Sequence, residues 1–348
     1  MTALAIQRDV PLAPLTTLEL GGPAKHFIRV ADEQTLVEAL RWAAEREIRS
    51  AMLAGGSNLI VPDHGFDGLV IHMQIGGLDF SRLGMVKVGA GVPWEAVVDG
   101  AVSRGWAGLE CLTGIPGSAG ATPIQNVGAY GQEVAEVIES VRVLRRDTLS
   151  FETWGPEDCA FAYRGSRFKR EPDRFVVCSV RFALRPGGRG TIRYAELENA
   201  LPAGASLEEI RRIVFELRRR KSMVLDPNDP NRRSAGSFFL NPVVSVAVAD
   251  RIAAQAAREG LVAQPSDCPR FAAEPGRVKL AAGWLVEKAG IAKGTRRGAV
   301  GVSSNHALCL VHHGGGTTAE LLAFASEIQA RVAARFGITL EREPQLLA

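Results

Sequence analysis

Residues 114–131 read Gly-Ile-Pro-Gly-Ser-Ala-Gly-Ala-Thr-Pro-Ile-Gln-Asn-Val-Gly-Ala-Tyr-Gly. Five glycines and two prolines stand among small side chains, so this stretch offers little apolar bulk for a core. Glycine permits positive φ and close approach of another molecule, and proline fixes bends without an N–H group. Backbone N–H groups exposed between such residues can bind phosphate oxygens. The stretch therefore predicts a phosphate-binding loop, with a long surface loop as the alternative.

A second turn of small residues, Gly55-Gly-Ser-Asn58, favours the phosphate-binding interpretation. It lies between two short apolar runs that are typical of strands. Two such turns together predict a site in which each turn binds one end of the same diphosphate ligand. Neither turn has the G-x-G-x-x-G spacing at the start of a helix, so the chain is predicted to lie outside the class of folds with that dinucleotide fingerprint.

Composition narrows the class of protein. The 348 residues exceed the size at which one hydrophobic core stops growing, which predicts two or three domains. A net charge of +3 indicates neither a nucleic-acid nor a membrane partner. Five scattered cysteines without a C-x-x-C pair, and six histidines, indicate no disulfide framework and no metal site. We find no signal-peptide core and no apolar run near the ~20 residues of a membrane span, so a cytoplasmic protein is expected.

Helical and strand patterns alternate along the chain, which predicts an α+β fold. Capping boxes at Ser206 to Glu209 and at Thr317 to Glu320 each predict a helix start. The turn-rich stretch 226–233 predicts a domain boundary. The predicted helices cover 33–46, a segment beginning at Pro93, a segment beginning at Ser206, 246–259, 276–289 and 317–335. The predicted strands cover 51–54, 59–62, 68–73, 86–90, 137–144, 174–184 and 306–312.

Four positions combine reactive side chains with an unusual setting. Arg164 stands among aromatic residues and glycine, where a guanidinium could bind a carboxylate bidentately; the alternative is a surface loop. Ser237 stands between a glycine and two phenylalanines as a possible proton donor, although such a serine commonly ties a turn. Lys221 ends an arginine-rich helix terminus, which is otherwise typical of a solvated tail. Glu343 shares a strand face with Glu341 near the C-terminus, where acidic residues are commonly solvated.

Taken in order, these segments resemble the UDP-N-acetylenolpyruvoylglucosamine reductase (UDP-N-acetylmuramate dehydrogenase) family, whose members are FAD enzymes of peptidoglycan precursor synthesis. No single segment is specific, but the ordered set is. The residues Tyr163-Arg-Gly-Ser-Arg-Phe-Lys169 and Tyr194 resemble the branch with an extra substrate-covering loop and tyrosine. The matching segments are 16–24, 55–58, 115–118, 123–131, 163–164, 236–239, 241–242, 281–285 and 340–343.

The resemblance implies a three-domain α+β fold. Residues 1–73 and 74–224 would form an FAD-binding module of the vanillyl-alcohol-oxidase type, and residues 225–348 would bind the UDP-sugar. FAD would be held non-covalently, mainly by backbone N–H groups. The residues implied at FAD are Gly55, Gly56, Ser57, Asn58 and Leu59 in one turn, Gly114, Ile115, Pro116, Gly117, Ser118, Gly120 and Ala121 in the other, and Gln125, Asn126, Gly128 and Ala129 beside the flavin.

The resemblance also implies a reaction. NADPH would give a hydride to the flavin, and flavin N5 would pass it to C3 of the enolpyruvyl group of UDP-N-acetylglucosamine enolpyruvate. Ser237 would then give a proton to C2, while Arg164 and Glu343 would polarise the substrate carboxylate. Glu343 would need a raised pKa or bridging hydrogen bonds for this role. The implied UDP-sugar contacts are Tyr194, Lys221 and Asn241.

Two positions depart from the family pattern. Pro344 follows Glu343 where a branched apolar residue is expected, which could alter the strand that carries Glu343. Glu287 and Lys288 stand where some members have a neutral polar pair, so no substrate contact is assigned to them. The expected partner is a small-molecule substrate, with no nucleic acid, no membrane insertion and a monomeric state.

Three other functions fit parts of the sequence. Several oxidases of the same FAD-binding type carry flavin covalently on a histidine or cysteine beside the pyrophosphate loop. Residues 55–58 and 115–121 contain neither, and Cys111 is the only cysteine nearby, so covalent attachment is not expected. A non-catalytic UDP-sugar sensor would be indicated by loss of Ser237 or Glu343, and both are present. A nucleic-acid-binding role rests only on the basic residues 218–221, without interleaved aromatic residues.

Overall fold

The computed structural model of the chain describes residues 4–81 and 83–347. Its contacts divide them into two units. The first unit contains the described residues of Met1–Pro11, Pro23–Gly56 and Gly65–Leu225, and the second contains the described residues of Leu12–Gly22, Ser57–His64 and Asp226–Ala348. Both units combine helices with strands, so the predicted α+β class is confirmed. Among the described residues, no helix is both long enough and apolar enough to span a bilayer.

A mixed four-stranded sheet begins the first unit. The strand Pro23–Val30 pairs antiparallel with Gln7–Pro11 and parallel with Phe66–Met73, whose other edge pairs parallel with Ser50–Leu53. The helix Glu33–Ala44 packs its buried Leu36, Ala39 and Leu40 on this sheet. The Asp32 carboxylate caps that helix, as the sequence predicts, by accepting from Thr35 N–H at 2.7 Å.

A second sheet of five antiparallel strands completes the first unit. Its order is Phe151–Trp154, Ile138–Arg145, Phe175–Ala183, Met85–Gly89 and Leu78–Phe80. The helix Trp94–Val102 buries Val97 and Val98 against this sheet. Two short pairs join Gly128–Ala129 to Gln132–Glu133 and Trp106–Ala107 to Arg185–Pro186.

The remaining helices of the first unit are mostly short. The predicted capping box at Ser206 is confirmed, because its hydroxyl accepts from Glu209 N–H at 3.2 Å while the Glu209 carboxylate accepts from Ser206 N–H at 2.8 Å. The α-helices are Pro156–Cys159, Arg167–Arg170, Ala195–Ala200 and Leu207–Arg220, and the 3-10 turns are Glu110–Leu112, Ala119–Ala121 and Val134–Glu136.

The second unit contains two antiparallel sheets and one parallel strand pair. Four strands are ordered Ser234–Ser237, Cys309–His312, Val300–Val302 and Arg296–Arg297. Three more are ordered Val243–Ser245, Arg277–Leu280 and Arg270–Ala272. Gln345–Leu346 pairs parallel with Leu59–Ile60. The 3-10 turns are Ala13–Leu15 and Pro265–Asp267.

Three helices pack in the second unit, Val246–Arg258, Ala282–Lys288 and Thr318–Phe336. The last begins at the predicted capping box and ends at Gly337, whose φ of 69° is left-handed as a helix stop requires. The predicted helix over 276–289 is wrong in its first part. Residues Arg277–Leu280 form the central strand of the three-stranded sheet, and hydrogen bonding on both of its edges outweighs the local helical pattern.

Candidate functional site

The two glycine-rich turns contact each other within the first unit. A Cβ atom added to Gly55 would lie 2.7 Å from the Cα atom of Gly117, so the two backbones touch. Gly117 has a φ of 126° and Gly114 a φ of 68°, both in the region that favours glycine. The turns that the sequence identified separately therefore form one surface at Gly55 and Gly117.

Three polar groups at the centre of residues 114–121, hereafter the phosphate loop, have no hydrogen-bond partner among the described residues. The Ser118 hydroxyl is buried and makes no hydrogen bond to any described residue. Within the described chain, the N–H groups of Gly117 and Ser118 also donate to no backbone carbonyl. Buried polar groups are nearly always hydrogen-bonded, so these groups indicate a polar ligand such as a diphosphate.

Protein contacts hold the ends of the phosphate loop. Gly114 N–H donates to Glu95 Oε2 at 2.6 Å, and Gly120 N–H donates to Ala90 O at 3.0 Å. A Cβ atom on Gly120 would lie 2.4 Å from Ala90 Cβ, so glycine at this position allows close packing. Ala121 N–H donates to Ser118 O within the turn itself. Backbone bonds to residues 92–94 also hold the centre of the loop, through Gly117 O and Ala119 N–H, so the loop has a fixed backbone with a few donors left for a ligand.

Arg218 adds a buried positive charge beside the phosphate loop. Its Nη2 donates to Met223 O at 2.6 Å and to Gly114 O at 3.4 Å, and its Nε has no partner among the described residues. Burial lowers the pKa of Arg218 to about 10, so it stays charged near neutral pH. The basic run 218–221 is typical of a solvated helix tail, but only Arg219 and Arg220 in it are exposed.

The Asn126 side chain forms hydrogen bonds to three other residues of the first unit. Its Nδ2 donates to Glu133 Oε2 at 2.7 Å and to Ala162 O at 3.1 Å, and its Oδ1 accepts from Ala135 N–H at 3.2 Å. Its φ of 45° is left-handed, a conformation that asparagine tolerates better than most residues. Asn126 therefore shapes the segment that follows the phosphate loop.

Arg164 is oriented by that same segment. Its Nη2 donates to Gly128 O at 2.6 Å, and its own carbonyl accepts from Lys169 Nζ at 3.1 Å. The turn that carries it is closed by reciprocal backbone bonds between Ala162 and Gly165, and Arg164 has a φ of 51°. A non-glycine residue in this region costs free energy and commonly marks a functional turn.

Tyr194 and Lys221, two predicted UDP-sugar ligands, meet at Tyr130. The Tyr130 and Tyr194 rings pack edge to face with centroids 5.5 Å apart, and Lys221 Nζ lies 5.8 Å from the Tyr130 centroid. Burial raises the pKa of Tyr130 to about 12 and also raises the pKa of Tyr194. Both hydroxyls are therefore protonated near neutral pH and can donate hydrogen bonds. Lys221 Nζ also pairs with Glu196 Oε2 at 2.5 Å.

A buried carboxylate anchors the segment that leads to Tyr194. Glu110 is fully buried and accepts from Gly108 N–H at 2.7 Å, Gln132 Nε2 at 3.2 Å and Thr191 N–H at 2.8 Å. Cys111 Sγ donates to Thr191 O at 3.3 Å. Charge-assisted bonds of this kind are among the stronger ones in proteins, so they fix the start of the Tyr194 segment.

Ser237 lies at the end of a strand in the second unit. It pairs with Cys309 across the sheet, and the preceding Gly236 has a φ of 71° that bends the strand. The Ser237 side chain is half-buried, and its hydroxyl makes no hydrogen bond to a described residue. The hydroxyl is thus free to bond a ligand.

The second unit pairs the segment of Glu343 with the residues that follow Ser237. Glu343 N–H donates to Phe238 O at 3.0 Å, and Leu240 N–H donates to Glu341 O at 2.9 Å. Ser237 and Glu343 therefore stand on neighbouring extended segments, although about a hundred residues separate them in the chain. Glu343 is half-buried.

The chain bends at Pro344 directly after Glu343. Asn58 holds both sides of the bend, because its Nδ2 donates to Glu343 O at 3.4 Å and its carbonyl accepts from Gln345 N–H at 3.0 Å. The following strand, Gln345–Leu346, pairs with the strand that begins at Leu59. Pro344 thus ends one extended segment while Glu343 keeps its backbone bond.

Asn241 uses only part of its side chain within the second unit. Its Oδ1 accepts from Ala282 N–H at 2.9 Å, at the start of the helix Ala282–Lys288, while its Nδ2 makes no bond to a described residue. The amide can therefore still donate to a ligand. Glu287 at the other end of this helix is exposed.

The predicted catalytic residues divide between the two units, Arg164 in the first and Ser237 and Glu343 in the second. Sequence reasoning missed Glu110, Glu196 and the burial of Arg218. Of these three features, only the burial of Arg218 had a signal in the sequence. It continues the four-residue spacing of the buried Ile210 and Val214 and so lies on the apolar face of its helix.

The described residues contain no group of histidine, cysteine, aspartate or glutamate side chains that could hold a metal ion. The five cysteines are unpaired and buried. Burial raises the pKa of the Cys111 thiol to about 12, so the thiol is un-ionised and a poor nucleophile.

Two family models match the chain. One is described as the FAD binding domain and matches residues 24–149. The other is described as the C-terminal domain of UDP-N-acetylenolpyruvoylglucosamine reductase and matches residues 227–347. The first covers Gly55 and the phosphate loop, and the second covers Ser237, Asn241 and Glu343.

Full-length relatives carry the same description. UDP-N-acetylenolpyruvoylglucosamine reductase of Thermobifida fusca is 45% identical over 98% of this chain and 97% of its own length. That of Saccharopolyspora erythraea is 46% identical over 97% of this chain and 94% of its own length. The crystal structure of the Thermus caldophilus reductase aligns with a TM-score of 0.68 at 26% identity, covering 99% of this chain and all of that one.

Proposed function

The chain belongs to the UDP-N-acetylenolpyruvoylglucosamine reductase family, and on that premise we propose that it reduces UDP-N-acetylglucosamine enolpyruvate to UDP-N-acetylmuramate with NADPH as the hydride donor. It is an FAD-binding oxidoreductase, since an FAD binding domain covers residues 24–149. We further expect a monomer that acts in the cytoplasm on this small-molecule substrate.

FAD would be held non-covalently at the two touching turns. The buried Ser118 hydroxyl and the N–H groups of Gly117 and Ser118 would bond the pyrophosphate, and Gly55 and Gly56 would let it approach the backbone. Arg218 would balance its negative charge from behind the phosphate loop. The residues from Gln125 to Ala129 would face the flavin.

Bound FAD would supply the redox chemistry, the transfer of a hydride from NADPH to C3 of the enolpyruvyl group. Ser237 supplies the other half of the addition by giving its hydroxyl proton to C2. Arg164 binds the substrate carboxylate, where its positive charge stabilises the electron density that develops before protonation. Glu343 stabilises the enolic form of the substrate, which precedes protonation at C2, by hydrogen bonding.

Tyr194, Lys221 and Asn241 would bind the UDP-sugar. Lys221 offers an ammonium group to the diphosphate, and the protonated Tyr194 hydroxyl can donate a further hydrogen bond. The free Nδ2 of Asn241 is the donor that remains after its Oδ1 has bonded Ala282. Each of these three groups is a hydrogen-bond donor, which suits the negatively charged phosphate oxygens of a UDP-sugar.

One observation supports the proposal: the Ser237 hydroxyl has no partner among the described residues and precedes Phe238, whose carbonyl accepts from Glu343 N–H, in a chain whose other unit has buried donors without a partner in the phosphate loop. The test is an anaerobic visible spectrum of the purified protein, recorded with NADPH and then with the enolpyruvyl UDP-sugar. Bleaching of the flavin by NADPH and recovery with the sugar are expected. Bleaching without recovery would indicate an oxidase of the same FAD-binding type, and absence of flavin after FAD is supplied would refute the assignment of the loops.

Gly55→Ala is expected to weaken FAD binding by roughly 10- to 100-fold, the effect of overpacking by a methyl group. Its new Cβ would lie 2.7 Å from Gly117 Cα and would push the two turns apart. Gly76→Ala is the matched control, because its Cβ would meet no atom within 4 Å. FAD titration of the apoproteins by flavin fluorescence measures both affinities, and equal affinities would place the cofactor elsewhere.

A further inference from the structure

Lys221 has an anionic partner within the protein. Its Nζ lies 2.5 Å from Glu196 Oε2, and the two side chains are 34% and 38% exposed. Glu196 stands two residues after Tyr194, in the short helix Ala195–Ala200. The ion pair therefore joins the end of the helix Leu207–Arg220 to the segment that carries Tyr194.

The surroundings of this pair are aromatic and cationic. Tyr130 lies under the Lys221 ammonium and against the Tyr194 ring. Arg218, one helical turn before Lys221, is close enough to Tyr130 for its positive charge to oppose the rise that burial causes in the pKa of Tyr130. Glu196 is the carboxylate that bonds Lys221, so it occupies the position where a second anion would be bound.

A carboxylate and a diphosphate oxygen compete for the same ammonium. Partly exposed ion pairs are weak, so Lys221 can exchange Glu196 for a ligand with greater negative charge. The released carboxylate would then stand near the diphosphate and repel it, since like charges a few ångströms apart disfavour each other. Both effects reduce the apparent affinity for an anionic ligand.

We propose that Glu196 sets the affinity for the UDP-sugar by occupying Lys221 until the substrate diphosphate displaces it. The inference rests on the proposed role of Lys221 as a diphosphate ligand. Because Glu196 and Tyr194 share one segment, the exchange also releases the segment that carries Tyr194. Glu196 is thus an affinity-determining residue and takes no part in the chemical step.

Glu196→Gln is expected to lower KM for the UDP-sugar and Kd for UDP about threefold to tenfold, with a smaller change in kcat. The amide keeps the size of the side chain but loses the charge that competes with the diphosphate. Glu198→Gln is the matched control: it is exposed on the same helix and makes no ion pair among the described residues, so no change in KM is expected. Holoenzyme should be used throughout, with UDP binding measured by equilibrium dialysis.

A double-mutant cycle separates competition from a positioning role. If Glu196 competes with the diphosphate for Lys221, the effect of Glu196→Gln on UDP binding should be clearly smaller in a Lys221→Met background, where only the repulsion between the carboxylate and the diphosphate remains. If Glu196 instead positions Lys221 for the substrate, Glu196→Gln will raise KM, and that result would overturn the inference. An unchanged KM would overturn it equally.

The wild-type reaction separates this inference from the proposed function. Absence of turnover of the enolpyruvyl UDP-sugar in the wild-type holoenzyme would contradict the proposed function. Normal wild-type turnover together with an unchanged or raised KM in Glu196→Gln would contradict the role of Glu196 alone. Added salt gives a further readout, because screening should reduce the difference between Glu196→Gln and the wild type.

Discussion

Ser237→Ala is expected to leave flavin reduction by NADPH nearly intact while slowing reoxidation by the enolpyruvyl UDP-sugar at least several-hundredfold. A positioned proton donor contributes typically about 10²–10⁴ in rate, and alanine removes the donor without adding bulk. The variant should fold, because the Ser237 hydroxyl bonds no described residue and the strand is held by the backbone pairing with Cys309. Stopped-flow absorbance under anaerobic conditions measures the two half-reactions separately.

Two further variants serve as comparisons for Ser237→Ala. Ser237→Cys keeps a side-chain donor and should recover part of the lost rate. Ser245→Ala removes a hydroxyl of the same unit that caps the helix Val246–Arg258, so it should lower stability by about 1 kcal/mol and leave both half-reactions unchanged. Equal slowing of both half-reactions in Ser237→Ala would show that the hydroxyl does not act as the proton donor.

Arg164→Lys is expected to reduce turnover roughly 10²–10³-fold although the positive charge is retained, the usual loss when one preorganised donor is removed. The planar guanidinium presents a fork of donors, one of which bonds Gly128 O, and a single ammonium cannot reproduce that fork. The loss should appear mainly in reoxidation by the enolpyruvyl UDP-sugar. Steady-state kcat and KM with the reoxidation rate test this expectation.

A nearby arginine provides the control. Arg170 is exposed in the same segment and also donates to a backbone carbonyl, that of Ala160, at 3.1 Å. Arg170→Lys should therefore leave turnover within about twofold of the wild type, as exposed substitutions generally do. The assignment of Arg164 fails if Arg164→Lys matches that control.

Local sequence signals predicted several elements correctly because their causes are local. Asp32 and the two capping boxes satisfy N–H groups that lie within one helical turn, and Gly337 supplies the left-handed helix stop. The glycine-rich turns were recognised for the same reason, since positive φ at Gly56, Gly114 and Gly117 depends on the absence of a side chain. The ordered motifs identified the family, which the full-length relatives confirm.

Local sequence signals could not predict the pairing of segments that are distant in the chain. The pattern over 276–289 predicts one helix, but Arg277–Leu280 gains strand partners on both edges, and nothing local reports them. The closeness of Ser237 and Glu343 depends on a backbone bond between Phe238 and Glu343. Sequence motifs identified both residues, but only the pairing of their segments brings them near each other.

The sequence by itself determined the caps, the turns, the α+β class and the identity of the candidate site residues, because each depends on a few adjacent side chains or on a motif. Tertiary structure alone decided which charges are buried or paired: Glu110 within its ring of donors, Arg218 behind the phosphate loop, and Glu196 on Lys221. The reason is physical. A charge is hydrated or desolvated by everything packed around it, and most of that surrounding comes from residues remote in the chain.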